Sequence, residues 1–225
     1  MKYIEKNAEP AKFKVYRSIP GATYANITTE AKVALRTALL ESQGYICCYC
    51  MQRVTESNCK IEHFKPQKTY NGTNGKADLT LNYKNLYIAC MGNEGHGYDR
   101  LTCDSRKGHE ELQHVRLDDK GWNNVFKYSA DGTISTKDGN QALEKEIEEI
   151  LNLNEDTLKR NRSSIYDYIM ERFKNAQIRK QFNISFLNKE LQHWADRNAN
   201  NQYLEYCMVA IYLIRKHIDK LQKHV

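Results

Sequence analysis

Six of the seven cysteines in this chain lie between positions 47 and 103, two of them as Cys47-x-x-Cys50. The surrounding stretch, 45–120, has weak apolar periodicity and frequent Gly, Asn, Cys and His. That is the composition of a small fold supported by metal. The spacing of Cys47 and Cys50 lets both thiolates reach one ion, and a tetrahedral site needs two more ligands. Cys90 and Cys103 are the best candidates, although twelve residues separate them, far more than a second knuckle carries. Closing a loop of that length costs little extra. Cys48, the neighbour of Cys47, and Cys59, isolated before a strand, are weaker candidates. The bland alternative is reduced cysteines in an ordinary core. A redox sensor built on Cys47-x-x-Cys50 is a third reading.

No stretch approaches the length of an apolar membrane span. The start, Met1-Lys2-Tyr3-Ile4-Glu5-Lys6, is charged and lacks an apolar signal core. A cytoplasmic location is therefore expected, and a disulfide framework is not. A length of 225 residues allows one large domain or two small ones, and 40% apolar residues argues against wholesale disorder. A net charge of +6 fits a polyanionic partner without requiring one. The fifteen tyrosines could stack on bases, but at helical spacing they are more commonly half-buried core.

The expected architecture is α+β, mainly α. Three segments are anticipated: an N-terminal arm and helix over 1–44, a compact core over 45–120, and a hairpin with helices over 121–225. Residues 1–27 look irregular, interrupted by Pro10, Pro20 and Gly21, with Tyr16 and Tyr24 as anchors. Thr28 caps a helix over 29–43 that Gly44 stops. Strands are expected at Lys60–Phe64 and Leu86–Cys90, a mobile loop over Gln67–Asp78 marked by Asn71-Gly72 and Asn74-Gly75, and a helix from Asp104 to about His114. A hairpin over 125–135 precedes helices near 140–151, 155–180, 183–198 and 201–223, with Asn154 or Asp156 capping the second.

The most informative dipeptide is Glu62-His63. Phosphodiester hydrolysis needs a base to generate hydroxide, a hard cation to neutralise developing charge, and something to orient the base. Glu62 and Asp104 are hard oxygen ligands suited to Mg²⁺ or Mn²⁺. His63 has an ordinary pKa near neutrality and can be the base. Asn85 can orient the imidazole or fix the loop that carries it. Lys107, one turn after Asp104, can contact a phosphate. Adjacent strand residues point to opposite faces, so Glu62 and His63 serve one centre only if the strand is ending, as Pro66 suggests. Each residue alone is weakly informative, because single histidines are usually structural and single glutamates solvated. Their joint order is specific.

That order resembles the HNH endonucleases over about residues 45–112. The resemblance implies a ββα-metal core in which Glu62 and Asp104 hold the catalytic ion, His63 is the general base, Asn85 is the middle asparagine, and zinc on Cys47, Cys50, Cys90 and Cys103 is structural. Asp104 stands where the family more generally has Asn or His. The third metal-binding histidine of some members has no clean match; His109 and His96 are loose candidates. Ile61–Pro66, Tyr83-Lys84-Asn85-Leu86, Cys90–Gly95, Cys103–Gly108 and Leu151-Asn152-Leu153-Asn154 are similar to the PtuB subgroup. That similarity implies an effector of Septu-type or retron-type anti-phage defence. Its implied partners are a PtuA-like ATPase and, in retrons, a reverse transcriptase with its msDNA. DNA is the substrate such a resemblance implies by default, with RNA or tRNA as the alternative.

The helical half supplies a basic stretch, with Lys159, Arg160, Arg162, Arg172, Lys174, Arg179 and Lys180 interleaved by Tyr166 and Tyr168. Together with Lys65 and Arg106 these are candidate phosphate contacts. A solvated helix face is the equally weighted alternative. A non-catalytic zinc-supported module that binds nucleic acid or a partner would explain the cysteines and the charge. It would leave Glu62, Asn85 and Asp104 without a joint role.

Overall fold

A computed structural model describes residues 1–73 and 75–223. The chain is α+β. Among the described residues, two separate two-stranded antiparallel sheets sit among seven α-helices: α1 Ala11–Arg17, α2 Thr29–Gln43, α3 Cys103–Lys107, α4 Gln141–Lys145, α5 Asp156–Ile178, α6 Ile184–Ala195 and α7 Cys207–Gln222. The first sheet pairs β1 (Cys59–His63) with β2 (Leu86–Cys90), His63 opposite Leu86 and Glu62 opposite Tyr87. The second pairs β3 (Phe126–Tyr128) with β4 (Ile134–Thr136). No described helix is long and apolar enough to cross a membrane.

Helix α2 begins and ends where its caps require. The Thr28 hydroxyl accepts from the Ala31 amide, and Gly44 takes the left-handed conformation at φ 59°. Its last residue, Gln43, is buried and splices three segments. The Gln43 amide donates to the carbonyls of Ile46 and Ile88, while its Oε1 accepts from the Ile88 amide. The CxxC turn is thereby fixed against β2, a join strengthened by the Cys48 amide on the Ile88 carbonyl. The buried residues of all three chain segments form one contiguous core. Backbone bonds from Cys103 to Leu151 and from Tyr206 to Met51 tie the helical half to the cysteine segment.

Several expected boundaries move. Residues 11–17 are helical, not irregular; Pro10 precedes the first turn, and Phe13 and Tyr16 bury one face. Helix α3 stops at Lys107 rather than near His114, because Gly108 at φ 53° turns the chain away. The helix anticipated at 140–151 changes to a wider π-type turn over Glu146–Ile150. There the buried Glu146 carboxylate accepts from the amides of Gln113, His114 and Val115. The cap of α5 is Glu155, which accepts from Thr157 and Leu158 and also pairs with Arg100. Asn154 precedes the cap position and bonds Ile134 and Arg162 instead, and Asp156 is already the first residue of the helix. The loop over 67–78 is tied at its base by an Asn71–Asp78 bridge and by the Leu79 amide on the Tyr70 carbonyl. Asn74, part of the expected turn, lies outside the described residues.

Candidate metal centre and active site

The sulfur atoms of Cys47, Cys50, Cys90 and Cys103 all lie within 4.8 Å of one another, and all four residues are buried. The Cys47–Cys103 and Cys50–Cys90 separations are 3.9 and 3.7 Å. A tetrahedron with zinc–sulfur bonds of about 2.3 Å has edges of about 3.8 Å, so the quartet has the size and ligand type for structural zinc. The four thiols also share protons among themselves. Burial pushes the Cys47 thiol up, but hydrogen bonds from the other three and from Cys48 outweigh it and hold it well below the usual range. Bonding to Cys47, Cys50 and Cys90, with burial, raises Cys103. Cys48, Cys59 and Cys207 stand outside the quartet.

The long interval between Cys90 and Cys103 is closed by backbone. Gly92 accepts at its carbonyl from the Thr102 amide, and Gly92 itself adopts φ 57°. A Cβ on Gly92 would come within 2.2 Å of the Thr102 carbonyl oxygen. Glycine here lets the two cysteine-bearing segments approach, and Cys103 also takes a positive φ of 53° to aim its thiol inward.

Glu62 is buried at the end of β1. Its Oε1 accepts from the Tyr49 hydroxyl at 2.7 Å and pairs with the Lys107 ammonium at 2.8 Å. Lys107 also donates to the His63 carbonyl at 3.1 Å. The Asp104 carboxyl lies against Glu62, with the Lys60 ammonium 3.9 Å away. Burial raises the Glu62 carboxyl, but Asp104, Lys107 and Tyr49 together bring it below the usual carboxylate value. Burial and the neighbouring Glu62 push Asp104 up to about 8. Two carboxyls side by side are the type of oxygen donor that Mg²⁺ or Mn²⁺ takes. No third His, Cys, Asp or Glu joins them among the described residues. His109 is exposed beyond the end of α3, and exposed His96 bonds the Asn93 carbonyl.

His63 leaves the strand on another side, as strand alternation requires. Its Nε2 is 3.0 Å from the Thr80 carbonyl oxygen. A carbonyl only accepts, so Nε2 carries the proton and Nδ1 presents the lone pair, which takes the Gln67 amide at 3.1 Å. The Tyr24 ring meets the imidazole edge-on, 4.4 Å between centroids. Burial lowers the His63 pKa, against opposing effects of the Thr80 carbonyl and Glu62, and favours the neutral base.

Asn85 makes no bond to the imidazole. Its Oδ1 accepts from the Lys65 amide at 2.7 Å, and its Nδ2 donates to the carbonyls of Lys65 and Leu79 at 3.0 and 3.1 Å. Of the two roles anticipated for Asn85, the structure has the second. It clamps the chain just after His63 to the chain just before Thr80, whose carbonyl sets the imidazole.

Some anticipated phosphate contacts are corrected. Lys107 is 1% exposed in its side chain and is committed to Glu62, so it does not present its charge to solvent. Arg162 is buried, donating to the carbonyls of Gly132 and Leu153 and to Asn154 Oδ1; it braces the second hairpin against α5. Its place one turn after Leu158 and two turns before Ile169, both buried, is the pattern that marks the inner face. Lys159 pairs with Asp131, Lys65 with Glu111, and Arg172 with Glu190. Arg106 covers the Tyr98 ring at 3.9 Å. Arg160, Lys174, Arg179 and Lys180 are exposed on α5 or just past it. Tyr49, Gln67, Thr80 and Tyr24 are site residues that the motif order does not reveal, although Tyr49 sits inside the CxxC turn.

Against this geometry, one curated protein gives a measured likeness. Over 114 residues the chain is 25% identical to the "Retron Vc95 putative HNH endonuclease" of Vibrio cholerae serotype O1 biovar El Tor. The match covers 51% of this chain and 52% of that protein, so the chain spans about half the length of the curated relative it matches. No protein-family model matches. The likeness supports an HNH nuclease family and nothing finer.

Proposed function

We propose that the chain is a metal-dependent HNH endonuclease, with 45–120 as its nuclease core and the exposed basic face of 121–225 following the substrate backbone. The reading rests above all on one juxtaposition. A buried Glu62 carboxylate beside Asp104 is followed directly in β1 by a neutral imidazole, and the Thr80 carbonyl holds the proton on its Nε2 so that Nδ1 is the base.

The chain's own groups divide the reaction as follows. Gln67, an exposed side chain, withdraws from Nδ1 and is replaced by water. Nδ1 of His63 takes a proton from that water as its oxygen bonds to phosphorus, and the bond from phosphorus to the 3′ oxygen breaks. Asn85 and Thr80 keep the imidazole in position. A divalent ion held by Glu62 and Asp104 would neutralise charge on the phosphate and the leaving oxygen. Tyr49 and Lys107 hold the Glu62 carboxylate in place. Zinc on the cysteine quartet supports the fold and takes no part in the chemistry.

DNA is the substrate proposed first, on the family resemblance, with RNA and tRNA as parallel arms of the same assay. We place the protein in anti-phage defence, beside a PtuA-like ATPase that holds it silent or gates its substrate, and in a retron setting beside a reverse transcriptase and its msDNA. The word "retron" in the relative's name supports that setting. Equal toxicity in cells with and without the ATPase would count against the gating.

The observation that favours a non-catalytic binding module is the closure of His63 by Tyr24 and Gln67. Incubation with plasmid DNA and total RNA decides between the two: magnesium-dependent cleavage that EDTA stops is expected, and binding without cleavage supports the module. Asn85→Ala is expected to lower cleavage about 10²-fold, because the base is displaced rather than removed. It should also cost about 1–3 kcal/mol of stability through the amide and carbonyls left unpaired. Undiminished cleavage by Asn85→Ala would sink its positioning role.

A further inference from the structure

Arg36 of α2 is half-buried, and one of its donors has no acceptor. Its Nε is shielded from solvent and has no hydrogen-bond partner, and the guanidinium forms no ion pair among the described residues. Buried polar groups are nearly always satisfied, so one left open needs a cause. Arginine makes the omission more pointed, because its planar fork is built for bidentate contact with carboxylate or phosphate.

Its position supplies the cause. Lys32 and Arg36 are four residues apart on α2 and share a face. The Lys32 ammonium stands 6.0 Å from the Tyr24 ring centre, and Tyr24 in turn lies edge-on against His63. On β1, Cys59 and His63 alternate onto the same side of the strand. Arg36 acts electrostatically on both Tyr24 and Cys59, and Asp104 acts on the same tyrosine. The unpaired guanidinium therefore lies on the Tyr24 side of His63, within electrostatic reach of Tyr24 and Cys59. It reaches that side from a helix outside the cysteine-supported core.

We infer that Arg36 is the anion receptor of this site, taking a non-bridging oxygen of a substrate backbone phosphate, with Lys32 one turn earlier on the adjoining phosphate. The inference rests on the nuclease reading and adds to it a substrate contact from α2. It also explains why Tyr24 sits where it does. The ring fills the space beside His63 while no phosphate is present, and moves when the guanidinium takes its ligand.

The test uses full-length protein. Binding of a labelled DNA duplex and of a labelled RNA strand is measured in magnesium over a range of salt, in the His63→Ala background so that nothing is cut. Cleavage is measured with His63 intact. Arg36→Gln is expected to weaken binding about tenfold, the scale of one charge-assisted hydrogen bond, and to reduce the salt slope by about 1. Arg36→Lys should keep the slope and recover part of the affinity. Thermal midpoints should be unchanged in both, because no internal bond is lost. Unchanged affinity and slope in Arg36→Gln overturn the inference. So does a binding loss that follows a falling thermal midpoint, which would mark Arg36 as structural. A wild type that binds with an Arg36-dependent slope but never cuts would instead bring down the nuclease reading and leave the phosphate contact standing.

Discussion

Cys90→Ala is expected to unfold the cysteine-supported segment rather than merely loosen it. Cys90 ends β2 and its sulfur lies 3.7 Å from that of Cys50. Without it the quartet keeps three ligands, and zinc on three thiolates is bound far more weakly. Structural zinc contributes roughly 10–16 kcal/mol in small metal-supported folds, while whole domains are stable by about 5–15 kcal/mol. Loss of most of the metal's contribution is therefore as large as the whole margin. An ordinary buried cysteine behaves otherwise: its truncation costs about 0.5–3 kcal/mol, the range for most single substitutions. The two cases separate cleanly in a thermal melt paired with elemental analysis. One zinc per chain in the wild type, none in Cys90→Ala, and loss of the cooperative transition are expected. A zinc-free wild type and a melt shifted by only a few degrees would show the quartet to be plain core.

Glu62→Ala should be the most damaging change in the acid–imidazole site. It removes the partner of a Lys107 ammonium whose side chain is 1% exposed, and the acceptor of the Tyr49 hydroxyl. Breaking a buried ion pair from one side costs about 3–5 kcal/mol, because the remaining charge is stranded. The lower end is expected here, since Asp104 is close enough to Lys107 to take up part of its charge. Removing both partners, as in Glu62→Leu with Lys107→Met, should recover much of the loss, because neither charge is then buried alone. Urea denaturation of the single and double variants measures both quantities. A double variant less stable than Glu62→Ala would mean that packing, not charge, holds this corner together.

What the residues reveal before folding divides along one physical line. Features set by a few adjacent residues were legible. Thr28 and Gly44 delimit α2 through local cap chemistry, the limits of β2 follow its apolar run, and the four quartet cysteines stand out by spacing and by elimination of Cys48 and Cys59. Features set by distant partners were not. Helix α1 is short, with only Phe13 and Tyr16 buried, too few for a periodicity to show. The early end of α3 had a signal in Gly108, but the polar run after it reads equally as exposed helix. Glu146 and Glu155 look like solvated acids until the amides they accept from are brought to them by the fold. In the candidate site, the order of Glu62, His63, Asn85 and Asp104 was readable. Their orientation was not, because Thr80, Gln67, Tyr24 and Tyr49 supply it from other segments.

The central claim is that His63 generates the attacking hydroxide, and cleavage by purified wild type and His63→Ala side by side tests it most directly. Both are loaded with the same zinc, checked for equal thermal midpoints, and incubated with magnesium on total DNA and total RNA. The account predicts cutting of at least one polymer by the wild type, and a rate at least about 10²-fold lower for His63→Ala, the low end for losing a general base. Equal rates in the two proteins would contradict it.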